Sequence, residues 1–153
     1  MDILENAFNN IKNPSKIIDP VLLFTLLDYD INNQYDTKYK GRFIGICENS
    51  AVFINHKGNC TIDHLISYLE RYDDFDLPNY NECKFIVERL DNLKYGNKPR
   101  KFWTSLIYYY FDLQTNSMVS YKNIIDSFNV NNYYRIKFEL LLIKRVYFHE
   151  DVN

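Results

Sequence analysis

Residues 42–56 constrain the fold of this 153-residue chain more than any other stretch. Arg42 to Glu48 and Ala51 to His56 are two short runs rich in Phe, Ile and Val, separated by Asn49-Ser50. Such runs favour extended backbone, and a two-residue break between them suits a tight β-hairpin. Lys57-Gly58-Asn59 closes the second run.

The flanking segments read as helices. Asp2 and Glu5 have the spacing of a capping box, and Ile3, Leu4, Ala7, Phe8 and Ile11 make one apolar stripe over 2–12. Asp19-Pro20 opens a second helix whose body, Val21 to Leu27, is apolar nearly all round and therefore deeply buried. Ile62, Leu65, Ile66, Leu69 and Tyr72 give a clean stripe for a third helix starting near Thr61. Asn79 and Glu82 form a second capping box, opening a fourth helix that ends at Gly96. Pro99 to Leu113 reads as a fifth helix, and Ser120 caps a sixth that runs to Phe128. Residues 133–148 fit both an alternating strand and one helical face; Asn131-Asn132 as a cap and Lys144-Arg145 at the end favour helix. The expected fold class is α+β: a mostly helical single domain over 1–153 with a small antiparallel β-hairpin or sheet. Leu65, Leu69, Leu90, Trp103 and Leu106 are expected in its core.

Composition narrows the function classes. The 14 Tyr and 11 Phe first suggest a binding surface, but Tyr, Asn, Ile and Lys are also what an AT-rich genome produces, so their number is weak testimony. The net charge of −2 conceals an asymmetry: residues 1–83 carry 13 acids and 7 bases, residues 84–153 carry 7 acids and 11 bases. The longest apolar stretch, Val21 to Leu27, is far short of the ~20 residues a membrane span needs. The acidic N-terminus has no leader-like pattern, and three sparse Cys suit reduced thiols, so a cytoplasmic location is expected.

With four glycines, the chain has no phosphate-cradling loop, no nucleophile elbow, no HExxH and no paired CxxC, so no cofactor is expected. Cys47, His56, Cys60 and His64 are of the right types to ligate zinc, but their spacing matches no standard site, and no metal is assigned. Cys60 with His56 or His64 is the one candidate nucleophile pair, with Asp63 as orienter; it gives a second alternative, a small Cys/His-dependent enzyme.

The acidic aromatic loop is the sharpest surface feature. Tyr72, Asp73, Asp74, Phe75, Asp76, Tyr80 and Glu82 interleave carboxylates with rings. That pattern suits contact with a basic protein surface, charges steering the encounter and rings supplying area. The expected function is thus a non-enzymatic protein-binding module that neutralises a basic partner, like a toxin-immunity protein or a viral inhibitor. The first alternative uses the basic half. Three helices over 99–145 would form a helix-turn-helix, with Tyr134, Arg135, Lys137, Lys144 and Arg145 reading nucleic acid and Lys98, Arg100 and Lys101 on phosphates.

Overall fold

The computed structural model describes residues 2–11, 17–19, 35–71, 75–89, 100–123 and 136–148. In chain order these form α1 (Asp2–Ile11), β1 (Ile17–Ile18), β2 (Tyr35–Asp36), β3 (Gly41–Cys47), β4 (Ser50–Thr61), α2 (Ile62–Arg71), α3 (Tyr80–Arg89), β5 (Lys101–Trp103), β6 (Tyr109–Asp112), β7 (Ser117–Ser120) and β8 (Lys137–Tyr147). The strands make one mixed sheet in the order β2-β3-β4-β8-β5-β6-β7, with β1 also on β8. The mostly helical expectation is overturned: a sheet organises the described residues, with three short helices packed on it.

Two segments carry that correction. Residues 137–147, read as helix, are the long central strand β8, paired with β4 along eleven antiparallel positions. Leu140, Leu141, Leu142 and Ile143 are all buried, because a strand covered on both faces buries consecutive side chains. A helical stripe can be drawn through the same residues, but the long extended β4 demands a partner of equal length, and tertiary pairing overrides propensity. Residues 99–113, also read as helix, hold β5 and β6 as an antiparallel pair. Here the β preference of Tyr109, Tyr110 and Phe111 wins. Leu106, expected in the core, lies in the connecting turn and is half exposed.

Other expectations hold. The hairpin forms as β3–β4, with its turn at Glu48-Asn49 rather than Asn49-Ser50. In α2, Ile62, Leu65 and Leu69 are buried. The second capping box is made reciprocally: Asn79 Oδ1 accepts from Glu82 N–H at 2.9 Å, and Glu82 Oε1 from Asn79 N–H at 3.0 Å. Ser120 ends β7, and its hydroxyl accepts from Lys122 N–H at 3.2 Å. The expected second helix after Pro20, Leu90 and Gly96 of the fourth, and residues 124–128 of the sixth lie outside the described residues.

Alternation along β8 separates two core clusters. Leu140 and Leu142 pack with Leu4, Ala7 and Phe8 of α1, Leu65 and Leu69 of α2, and Trp103. Leu141 and Ile143 face the other way, with Ile44, Val52, Phe111, and Cys83 and Ile86 of α3. Trp103 is fully buried, and its Nε1–H donates to the Cys60 carbonyl at 3.1 Å, which removes the cost of hiding a polar group. Gly45, φ +133°, sits at a register shift in β3 where a Cβ would come within 2.9 Å of the Phe85 ring; glycine lets α3 lie close to the sheet.

One edge of β8 belongs to β4. The other is shared by three segments: Phe102 of β5 opposite Glu139, Asp76 opposite Ile143, and β1 opposite Val146 and Tyr147. Asp76 makes both bridge hydrogen bonds, N–H to the Ile143 carbonyl at 2.8 Å and the return at 2.9 Å. This bridge brings the acidic segment against the basic strand, so the two oppositely charged halves of the sequence interleave.

Candidate functional site

A cleft of about 350 Å³ opens where the β3–β4 turn, the end of β8 and the start of α3 meet. Glu48, Asn49, Ser50, Asn79, Glu82, Arg145 and Tyr147 line it. Ser50 and Tyr147 are directly paired across β4 and β8, so their side chains share a face. Arg145, two residues along β8, points to that same face. The capping box presents Asn79 and Glu82 from α3.

Arg145 ties these elements together. Its Nε and Nη2 donate to Glu82 Oε2 and Oε1, each at 2.6 Å, in the bidentate geometry a guanidinium prefers. Nη1 donates to Asp76 Oδ2, and Nη2 also reaches the Leu77 carbonyl at 3.3 Å. The side chains of Asp76 and Glu82 are 7% and 5% exposed. Asp76 Oδ1 accepts from Leu77 N–H at 2.7 Å. Burial pushes the Asp76 carboxyl above its ordinary value, and Arg145 pulls it back only in part. Burial opposes the Arg145 charge, but Glu82 and Asp76 outweigh it and hold the guanidinium pKa above its ordinary value.

The balance of the cleft is therefore negative. Among the described residues, buried Asp76 and Glu82 share the Arg145 cation, and exposed Glu48 also lines the cleft. The half-buried Cys47 thiol registers the same field: burial first, then the charges of Glu82 and Glu48, push its pKa up. Glu48 adopts φ +57°, a left-handed conformation that glycine and asparagine take at lower cost.

Of the acidic aromatic loop, Tyr72, Asp73 and Asp74 lie outside the described residues. Phe75, Asp76 and Glu82 are buried, and Tyr80 is 39% exposed. The two acids are thus buried and paired with Arg145 rather than free surface charges. No local signal in the sequence marks Arg145 as their partner, since it lies 69 and 63 residues away.

The basic set is dispersed. Arg100 donates to Glu139 through Nε at 2.8 Å and Nη2 at 2.5 Å. Lys101 Nζ is 5.2 Å from the Tyr110 ring centre, and buried Lys144 Nζ is 4.5 Å from that of Phe75. Lys137 is exposed; Lys98, Tyr134 and Arg135 lie outside the described residues. The third element of the expected helix-turn-helix is the central strand β8, so that arrangement does not form.

None of Cys47, His56, Cys60 and His64 lines the cleft, although Cys47 adjoins it. Burial pushes the Cys60 thiol up to about 11, the wrong direction for a nucleophile. His56 Nε2 lies 3.2 Å from Glu139 Oε1, and His64 is exposed on α2. Among the described residues, no group of three or more His, Cys, Asp and Glu is placed to hold a metal ion, and no helix is long and apolar enough to cross a membrane. Comparison with protein-family models, curated proteins and solved structures finds no match to this chain.

Proposed function

We propose that this chain is a non-enzymatic binding module whose cleft at the start of α3 receives a cationic side chain of a basic protein partner and thereby neutralises that partner. One observation carries the reading: Glu48 and Glu82 line the cleft beside Arg145, whose guanidinium already donates to Glu82, Asp76 and the Leu77 carbonyl. An anion would meet excess negative charge there; a cation would complete the balance. The volume of about 350 Å³ is at the low end of ligand pockets, roughly 300–1,000 Å³, and suits one long side chain. A toxin-immunity protein or a viral inhibitor is the class of protein that works this way. The three cysteines are free thiols, which supports a reducing, cytoplasmic setting.

The experiment is an anisotropy titration with a fluorescein-labelled arginine-rich peptide. Glu48→Gln is expected to weaken binding about two- to fivefold, with the difference closing as salt rises from about 0.02 to 0.3 M. Equal binding by the variant at low salt would refute the assignment.

A further inference from the structure

The start of α3 has a second side. Tyr80 follows Asn79 of the cleft, but its ring turns to the outer strands, 6.1 Å from the ring of buried Phe111. Its hydroxyl donates to the Asn116 carbonyl at 3.2 Å, and Lys84 Nζ covers one ring face at 4.3 Å. Ser105 N–H donates to the Pro78 carbonyl at 3.0 Å, which draws the β5–β6 turn to the same place. Leu106 is in that turn, and Tyr109 N–H donates to its carbonyl at 3.1 Å. Tyr109 lies two residues from Phe111 on β6, hence on the same face of the sheet. Tyr80, Leu106 and Tyr109 are 39%, 50% and 37% exposed, three of the five large hydrophobics that are exposed among the described residues.

We infer that Tyr80, Leu106 and Tyr109 form an apolar docking patch continuous with the acidic cleft, and that both engage one occupant: a segment of the basic partner carrying an apolar side chain within a few residues of its cation. The inference rests on the cleft reading above. Two features argue for this occupant. Asn79 lines the cleft and Tyr80, the next residue, belongs to the patch, so the two surfaces adjoin at one step of the chain. The cleft supplies charge complementarity and the patch supplies aromatic and aliphatic area; buried anchors of that kind beside a charged rim are how compact interfaces gain affinity. Tyr80 is pre-ordered by its ring contact, hydroxyl bond and Lys84, so little rotamer freedom is lost on binding.

The test uses the full chain and acetylated peptides in which one arginine is followed, at spacings of two to five residues, by either leucine or serine. At the best spacing, the leucine peptide is expected to bind wild type about fivefold or more tighter than its serine partner. That advantage is expected to vanish in Leu106→Ser with Tyr109→Thr, while the serine peptide binds both proteins equally. Unchanged Trp103 fluorescence melting confirms that the variant is folded. If the arginine peptides bind but leucine brings no gain, or the gain survives in the variant, the patch is overturned and the cleft reading stands. If no arginine peptide binds in a salt-dependent way, the cleft reading fails and this inference falls with it.

Discussion

Replacing Arg145 by Leu removes the cation that, among the described residues, pairs with the buried carboxylates of Asp76 and Glu82. Asp76 and Glu82 are 7% and 5% exposed, so neither recovers its lost partner from water. Breaking a buried ion pair from one side costs about 3–5 kcal/mol, a third or more of the stability of an ordinary domain. Adding Asp76→Asn and Glu82→Gln removes the orphaned charges. It keeps an acceptor for Leu77 N–H and for the Asn79 N–H of the capping box. The triple variant is therefore expected to regain at least half of the loss. The sign with pH follows from the same physics. Burial already raises the Asp76 carboxyl pKa and Arg145 opposes that rise, so the Arg145→Leu penalty is expected to be largest at neutral pH and to shrink as pH falls and Asp76 protonates. Urea unfolding reads all of this, with Trp103, the sole tryptophan, as the fluorescence probe and far-UV dichroism as the check on two-state behaviour. A cost below about 1 kcal/mol for Arg145→Leu, or a triple variant no more stable than the single, would refute the account of this cluster.

Three further perturbations follow from the structure. Burial raises the Glu139 pKa, but hydrogen bonds and charge from Arg100 and His56 outweigh it and lower the pKa from 4.5 to about 2, so its contribution is complete above pH 4.5 and is lost between there and about pH 2. Glu139→Gln should cost about 2 kcal/mol at neutral pH and flatten that limb of the stability profile, measured by urea titrations across the range. Leu106→Ala should change stability by less than about 0.5 kcal/mol, whereas Leu65→Ala, fully buried, should cost about 2–5 kcal/mol in the same melts. Glu48→Asn should raise stability by about 0.5–1 kcal/mol by relieving the φ of +57°, while weakening cationic peptide binding as Glu48→Gln does.

Much of the local architecture was legible in the sequence because its causes are local. The Asn79–Glu82 capping box, the α2 stripe and the hairpin each depend on residues a few positions apart. What escaped is what distant pairing decides. Lys137–Tyr147 carries both a period-2 pattern and a helical stripe, and only the eleven-position ladder with β4 selects between them. Leu106 fits a helix stripe in the sequence but lies in a turn once Tyr109–Phe111 extend. The sequence pattern reads Asp76 and Glu82 as surface charges; both are buried, because β8 brings Arg145 against them. Conversely, Glu48 reads as the end of a strand and Ser50 as a turn residue, and no spacing rule links them to Tyr147.

The cleft is proposed to accept a cation. Amide chemical shifts of the full chain, titrated in parallel with N-acetyl-argininamide and with inorganic phosphate at low salt, test it directly. Argininamide is expected to shift Glu48, Asn49, Ser50 and Tyr147, salt to suppress the response, and phosphate to leave these amides in place. Phosphate-induced shifts at these residues, with none from argininamide, would contradict it.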